Sequence, residues 1–210
     1  MKTTLIIERE LVISLSLFLC FSAFLSYLYL DKSLALYCHQ IHSLWVKKLF
    51  FLLTQIGDSK YTLIPLAIFY LIYRKFNTLI ARKLLYLFSV VAFSGILVDI
   101  IKVIVARMRP KMLFLYDQYE FVWFKTGSSF NSFPSGHSAT AFSFFVALSL
   151  LYPKYRYLFF ALAALVVSSR VVLSAHYLSD VLIGSLIGGL SALWIHRKMN
   201  PLWRYLKTKY

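Results

Sequence analysis

Residues Leu11–Leu30, LVISLSLFLCFSAFLSYLYL, form a run of twenty residues without a charged side chain. A helix rises about 1.5 Å per residue, so this run is about 30 Å long, the thickness of the hydrocarbon core of a bilayer. The ten residues before it, MKTTLIIERE, carry no net positive charge, and no Ala-x-Ala-like cleavage site follows it. The run therefore predicts an uncleaved transmembrane helix and not a signal peptide.

The composition extends this conclusion to the whole chain of 210 residues, of which 60% are hydrophobic and 15% are charged. Soluble domains have about half apolar and about a quarter charged residues, so a soluble protein is excluded. The net charge of +15 could indicate nucleic-acid binding, but the cations lie in short segments between apolar runs. They are interpreted as topology determinants and contacts to lipid headgroups, and no nucleic-acid partner is expected.

Further apolar runs predict six membrane spans, at residues 11–30, 57–73, 84–106, 136–152, 157–175 and 177–195. The second is the weakest, and residues 44–56 before it are expected to form an interfacial helix. The spacing of Gly184 and Gly188 in the last span is suited to close helix packing. The predicted fold is a single all-α domain over residues 1–210, a polytopic bundle of six transmembrane helices.

The distribution of lysine and arginine predicts the orientation of this bundle. With the N-terminus in the cytoplasm, thirteen of the 23 Lys and Arg residues fall on the inner side. The positive-inside rule therefore predicts that both termini are cytoplasmic. The end of the third span, the start of the fourth and the junction of the last two then meet on the outer face. In a bacterial inner membrane this is the periplasmic or exterior side.

The third span ends in Lys102–Pro110, KVIVARMRP, which contains two cations in helical register. Lys102 and Arg109 are two helical turns apart, about 10 Å along the axis, so their long side chains can converge on one anion. Arginine offers phosphate a planar fork, whereas lysine offers a point charge. The alternative is a cation that extends to the membrane edge, and this interpretation is adopted for Arg107 and Lys111.

The fourth span begins at Pro134–Ser138, PSGHS, where a loop enters a predicted helix. Backbone N–H groups at a helix N-terminus bind anions, and Gly136 allows a phosphate to approach closely. The Ser135 hydroxyl can donate to that anion or simply cap the helix. His137 is either a satisfied core histidine or an acid/base group.

The junction of the last two spans contains Ser169–Asp180, SRVVLSAHYLSD. His176 and Asp180 are four residues apart, so on a helix the carboxylate can bond one ring nitrogen and leave the other free as a nucleophile. Arg170 can reach the same pocket. Metal binding is disfavoured, because His137 is the only other ligand-type group nearby and the cations repel a divalent ion. No metal and no other cofactor is expected.

The three stretches together resemble the signature of the type 2 phosphatidic acid phosphatase (PAP2) superfamily, K-x6-R-P, P-S-G-H and S-R-x5-H-x3-D. Each fixed position is present: Lys102, Arg109, Pro110, Pro134, Ser135, Gly136, His137, Ser169, Arg170, His176 and Asp180. The six-span layout is similar to the bacterial membrane branch over nearly the whole chain. The resemblance implies a PAP2-like bundle and a metal-independent phosphatase that acts on lipid phosphates or pyrophosphates.

The resemblance also implies a role for each site residue. His176 would be the nucleophile and form a phosphohistidine, Asp180 would orient it, and His137 would protonate the leaving oxygen. The phosphate would be bound by the remaining site residues, Lys102, Arg109, Ser135, Gly136 and Arg170. Asp99, one turn before Lys102, is expected to pair with that lysine and not to react. The aromatic-rich segment 108–133 is either an interfacial loop or a cap that borders the substrate headgroup.

The alternative functions are a membrane transporter and an inactive lipid-binding relative. Polar residues inside spans often line transport pathways, but this cluster lies at one membrane edge and not at the midplane. The intact nucleophile, acid and orienting residues disfavour an inactive relative. The candidate substrates are undecaprenyl pyrophosphate, phosphatidylglycerol phosphate, phosphatidic acid and lipid A phosphates, and the motifs recognise only the phosphate that these share. Membrane lipids are the other expected partner, and no oligomeric state is predicted.

Overall fold

The computed structural model describes residues 2–207, with the side chains of residues 9–199, and consists mainly of helices. The chain begins with α1, Lys2–Leu25, which continues through a π-helical segment, Ser26–Leu30, into α2, Asp31–His39. The remaining elements follow in chain order: α3 Leu44–Gln55, α4 Ser59–Phe76, α5 Thr78–Ile104, β1 Val105–Arg107, α6 Pro110–Tyr116, β2 Phe121–Trp123, α7 Gly136–Leu151, a 3-10 turn Pro153–Tyr155, α8 Arg156–Val172 and α9 Leu178–Lys207.

Side-chain caps determine where three of these helices begin. The Asp58 carboxylate accepts a hydrogen bond from the Lys60 N–H at the start of α4, and Asn77 caps α5. The Ser135 hydroxyl caps α7 by accepting from the Ser138 N–H. Each cap provides an acceptor for an N–H group that has no partner within its own helix.

Four helices among the described residues are long and apolar enough to cross a membrane: Arg9–His39, Thr78–Ile104, Pro153–Val172 and Leu178–Met199. They correspond to the first, third, fifth and sixth predicted spans. The predicted fourth span is the shorter apolar helix α7. The predicted second span is α4, which contains Pro65 and carries Arg74 and Lys75 in its last turn. The protein is therefore helical and membrane-integral, but the predicted count of six spans is not confirmed.

The central helix α7 packs against α5, α8 and α9. Its contact with α9 is close because Gly184 and Gly188 lie directly against the α7 backbone. A Cβ atom on Gly184 would collide with the Ser135 carbonyl, and one on Gly188 with the Ala139 carbonyl. The predicted packing role of these glycines is confirmed, and it holds the start of α9 next to the start of α7.

The segment 108–133 is more ordered than the predicted loop. β1 and β2 form a two-stranded antiparallel sheet in which Arg107 pairs with Phe121, and α6 lies between them in sequence. The Arg107 N–H also donates to the Phe130 carbonyl, and the Arg107 carbonyl accepts from the Ser132 N–H at 3.0 Å. The segment therefore folds back and places Ser132 beside Arg107.

Candidate active site

The three sequence motifs meet where the ends of several helices converge. Their ionisable residues are Lys102 at the end of α5, Arg109 just before α6, His137 in the first turn of α7, Arg170 in the last turn of α8, His176 between α8 and α9, and Asp180 in the first turn of α9. These side chains are close enough for their charges to act on one another. The structure thus brings the predicted site residues together at one end of the bundle.

Lys102 lies against the beginning of α7. A Cβ atom on Gly136 would be 3.1 Å from the Lys102 Nζ atom, so a side chain at this position would crowd the ammonium group. Asp99 Oδ1 lies 3.7 Å from the same Nζ atom, which is the pairing expected one helical turn away. Gly136 therefore gives the ammonium group space beside the helix N-terminus.

Arg109 and Arg170 are buried but incompletely hydrogen-bonded. Arg170 NH1 donates to Thr54 Oγ1 at 2.6 Å, and Arg109 NH2 lies 3.4 Å from the Asn131 carbonyl oxygen. The Nε atom of each guanidinium is buried and has no hydrogen-bond partner within the described part of the chain. Buried donors are almost always paired in folded proteins, so these two donors remain available for an anionic ligand.

Ser135 and His137 lie at the start of α7. The Ser135 hydroxyl is fully buried and accepts hydrogen bonds from the Ser138 N–H at 3.4 Å and the Ser138 hydroxyl at 2.9 Å, so it forms the predicted helix cap. His137 is half-buried, and the Gly57 turn packs against it. Within residues 9–199, no group of three or more His, Cys, Asp or Glu side chains could hold a metal ion.

His176 is oriented mainly by a backbone carbonyl. Its Nδ1 atom lies 2.7 Å from the Ser132 carbonyl oxygen, whereas the nearest Asp180 oxygen is 3.8 Å away. A carbonyl can only accept, so Nδ1 carries the proton and the lone pair of the neutral ring lies on Nε2. The predicted direct hydrogen bond between His176 and Asp180 is therefore replaced by one in which the His176 Nδ1–H donates to the Ser132 carbonyl, because the Asp180 oxygens accept from other donors.

The protonation of His176 suits attack by that lone pair. Burial lowers the pKa of His176 to about 4, and the charges of Arg170 and Arg109 act in the same direction, while Asp180 opposes them. Removing water penalises the imidazolium form more than the neutral form. The ring is therefore neutral at physiological pH.

Asp180 binds its neighbours through both carboxylate oxygens. Oδ1 lies 2.5 Å from Arg107 NH1, and Oδ2 accepts from the Ser132 hydroxyl at 2.6 Å and the Tyr177 N–H at 3.0 Å. Ser132 thus contacts His176 through its carbonyl and Asp180 through its hydroxyl. The Asp180 carboxylate and the His176 ring are therefore linked through Ser132.

The prediction that Arg107 is a cation at the membrane edge is wrong. Its side chain is 1% exposed and forms ion pairs with Asp180 and with Asp31, whose Oδ2 atom lies 2.8 Å from NH2. Burial alone lowers the pKa of Arg107, but the charges of Asp180 and Asp31 outweigh this effect and raise that pKa above its ordinary value. A cation that pairs with two buried carboxylates has no reason to extend towards the headgroups.

Asp31 and Ser132 were absent from the predicted site. Asp31 could have been noticed, because an acidic residue directly after an uncharged membrane run is energetically costly unless it is paired. Ser132 offers no comparable signal, because its contact with His176 uses a backbone carbonyl that every residue possesses.

The sequence of residues 83–204 matches the profile of the PAP2 superfamily, which covers more than half of the chain. The chain belongs to the PAP2 superfamily. Two lipid A 1-phosphatases, from Rhizobium etli and Rhizobium johnstonii, are each 44% identical to this PAP2 protein over 108 residues, or 51% of the chain. The aligned part covers 47% and 44% of those relatives, so the chain spans about half the length of the curated relatives it matches.

Two solved structures share the PAP2 fold of this chain at 23% sequence identity. LpxE from Aquifex aeolicus matches with a TM-score of 0.58 over 80% of this chain and 95% of that one. The PAP2-type phosphatidylglycerolphosphate phosphatase from Bacillus subtilis matches with a TM-score of 0.59 over 90% of this chain and 94% of that one. The arrangement of helices around the site is therefore the fold of a PAP2 membrane protein.

Proposed function

We propose that this PAP2 protein is a metal-independent phosphatase that hydrolyses a membrane lipid phosphate or pyrophosphate through a phosphohistidine intermediate. One observation carries the proposal. The buried Nε donors of Arg109 and Arg170, which have no partner among the described residues, lie in the same site as His176, which burial keeps neutral. Cationic donors without an acceptor fit a phosphate, and a neutral imidazole with its lone pair on Nε2 fits a nucleophile.

The mechanism begins when the phosphate binds between the cations. Lys102, Arg109 and Arg170 neutralise charge on the equatorial oxygens, and this charge stabilisation is the main source of rate enhancement. The N-terminus of α7 adds backbone donors, with Gly136 open to close approach and Ser135 fixing the first turn. None of these interactions requires a metal ion.

His176 Nε2 then attacks phosphorus in line with the departing oxygen. His137 takes up a proton when the anionic phosphate binds beside it, and it donates that proton to the leaving oxygen as the P–O bond breaks. The lipid then leaves as an alcohol or a monophosphate. Water hydrolyses the phosphohistidine, with His137 accepting the proton of the attacking water. Asp180 stabilises the positive charge that develops on the His176 ring.

The substrate and the membrane side are part of the same proposal. The names of the 44% identical relatives make a lipid A 1-phosphate the first substrate to test. Undecaprenyl pyrophosphate, phosphatidylglycerol phosphate and phosphatidic acid are the other members of the panel. The positive-inside distribution of charge supports a site on the periplasmic or exterior face of a bacterial inner membrane, with both termini cytoplasmic.

A transport function has one observation in its favour. The Bacitracin transport permease protein BcrC of Bacillus licheniformis is 42% identical over 65 residues, which is 31% of this chain. However, the ionisable residues gather at the helix ends and not along a path through the bundle. Phosphate release by the purified protein in detergent separates the two functions, because transport requires a sealed membrane.

The deciding experiment measures phosphate release from each of the four lipids by the purified protein in detergent, with and without excess EDTA. We expect turnover of at least one lipid and no loss of activity with EDTA. Activity that EDTA abolishes and a divalent ion restores would overturn the metal-independent mechanism. Absence of phosphate release from all four lipids would reject the proposed substrate class.

A further inference from the structure

Arg107, Asp31 and Asp180 form a buried charge cluster next to His176. Arg107 NH1 lies 2.5 Å from Asp180 and NH2 lies 2.8 Å from Asp31, and all three side chains are at most 1% exposed. The Arg107 guanidinium also lies within 4.3 to 5.1 Å of four aromatic ring centroids, those of Tyr27, Tyr119, Phe121 and Tyr177. Water is excluded from the cluster, so charge–charge interactions are stronger there than at a surface.

The cluster contains two carboxylates and one guanidinium, so its net charge is negative. An isolated Arg107–Asp180 pair would be neutral, and Asp180 would then offer His176 little compensating charge. Asp31 supplies the second carboxylate. Three other ionisable groups act on His176 or are acted on by it, and none of them is acidic: Arg109, Arg170 and His137.

Asp31 is held rigidly by groups from four parts of the chain. Oδ1 accepts from the Ser26 hydroxyl at 2.7 Å and the Ser179 N–H at 3.0 Å. Oδ2 accepts from the Tyr119 hydroxyl at 3.1 Å, the Ser179 hydroxyl and Arg107 NH2. Each of these partners donates, as an ionised carboxylate requires.

A negative charge beside His176 would stabilise the positive charge that the ring acquires in the covalent step. The Nε2 lone pair of His176 forms the N–P bond while the P–O bond breaks, and the leaving oxygen keeps that electron pair and takes a proton from His137. Because Nδ1 still carries its hydrogen, donated to the Ser132 carbonyl, the phosphorylated ring is a cation. This cation forms within the buried part of the site.

We propose that Asp31, acting through Arg107, is a positioning residue that keeps a net negative charge beside His176 and so stabilises the cationic phosphohistidine. The inference rests on the proposed function, because it concerns the same nucleophile. Asp31 touches neither the substrate nor the reacting atoms. Its carboxylate offsets the guanidinium charge that would otherwise neutralise Asp180.

The substitution Asp31→Asn tests the charge while keeping the shape of the side chain. It leaves Arg107 paired with Asp180, so no buried charge loses its last partner, and the protein is expected to fold. With dioctanoyl phosphatidic acid as the probe, kcat should fall about 10- to 100-fold, the effect of one charge acting over several ångströms in a partly shielded site. KM should change less than about twofold, because the phosphate-binding cations are untouched.

The matched control is Asp117→Asn. Asp117 is an exposed carboxylate directly after α6, with a positive φ of 52° that asparagine adopts readily. Its substitution removes one negative charge from the protein without altering the buried cluster. Turnover and the thermal unfolding midpoint of this variant should match those of the unmodified protein.

A second measurement does not depend on lipid hydrolysis. Orthovanadate can form a bond to the imidazole nitrogen and make the ring cationic, whereas inorganic phosphate binds only through its charge. Asp31→Asn should weaken vanadate binding about tenfold or more and leave phosphate binding unchanged, as measured by calorimetry on the purified protein. This selective loss is not expected from a residue that merely supports the fold.

The results of these measurements distinguish a failure of the proposed Asp31 role from a failure of the proposed phosphatase activity. Equal losses for vanadate and phosphate, or an unchanged vanadate affinity and kcat, would overturn the role of Asp31 while an active unmodified protein upholds the phosphatase. An unmodified protein that hydrolyses no lipid, but whose vanadate binding depends on Asp31, would overturn the proposed function and support the charge inference.

Discussion

The site contains two sets of buried arginines, and their hydrogen bonding differs. Arg107 pairs with Asp31 and Asp180 and is enclosed by aromatic rings. Arg109 and Arg170 are also buried, but each retains an Nε donor without a partner in the described part of the chain. A paired guanidinium stabilises the protein that contains it, whereas an unpaired one is available to a ligand. The degree of pairing therefore distinguishes Arg107 from the two arginines that we propose bind the phosphate.

The largest effect is expected when the imidazole of His176 is removed. His176→Ala should reduce phosphate release by about 10³-fold or more, because it removes the proposed nucleophile. The protein should still insert and purify normally. His42→Ala, at an exposed histidine between α2 and α3, is the control and should keep full activity. Comparable activity of the two variants would contradict the nucleophile assignment.

The same substitution should have different effects at the ion-paired Arg107 and at the incompletely hydrogen-bonded Arg109. Arg109→Met should lower kcat/KM about 100-fold with little change in stability, because within the described residues the guanidinium makes one long hydrogen bond and no ion pair. Arg107→Met should instead destabilise the protein by about 3–5 kcal/mol, because it leaves two carboxylates buried without their cation. Thermal unfolding in detergent and phosphate release together measure both effects. Equal destabilisation by the two substitutions would remove the distinction.

The pH dependence should reflect the buried nucleophile. Because the pKa of His176 is about 4, kcat/KM should lose activity on the acid side near pH 4, about tenfold per pH unit below it. An unfolded histidine titrates at about 6.5, so between these values the unfolded chain binds more protons than the folded one. Stability should therefore decrease as the pH falls from about 6.5 to 4. An acid limb centred near 6.5 would show that the imidazole is not desolvated.

The smallest expected effect concerns the space beside Lys102. Gly136→Ala should lower kcat/KM only a few-fold, because its Cβ atom would lie 3.1 Å from an ammonium group that can move aside. Gly189→Ala is the matched control, since a Cβ at that position meets no atom within 4 Å. Identical kinetics of the two alanine variants would indicate that Lys102 does not need this space.

The sequence identified the motif residues that gather in the site better than it identified the partners of the buried Arg107. Lys102, Arg109, Arg170 and His176 lie in short motifs whose spacing and residue types indicate phosphate chemistry. Arg107 lies inside one of these motifs but was interpreted wrongly, because its partner Asp31 is 76 positions away and no local periodicity connects them. Contacts between distant segments depend on tertiary packing, and the spacing of residues within a motif gives no information about it.

The apolar helices of the fold were predicted from the sequence, but its two short strands were not. Long apolar runs identified the four helices that can span a membrane and the shorter α7, because hydrophobic length is a strong signal. The strands β1 and β2 were missed, since three residues are too short to show an alternating pattern. They matter for the site because this folded segment brings Ser132 to both Arg107 and His176.

The position of Asp31 has a consequence for the assembly of the protein in the membrane. The three members of the charge cluster come from the start of α2, from β1 and from the start of α9, so they are synthesised at well-separated times. Asp31 is synthesised before Arg107, whereas Asp180 and Tyr177 follow it by about 70 residues. The segment that begins α9 therefore completes both the charge cluster and the set of aromatic rings around Arg107. The packing of α9 against the rest of the bundle is thus also the step that completes the surroundings of His176.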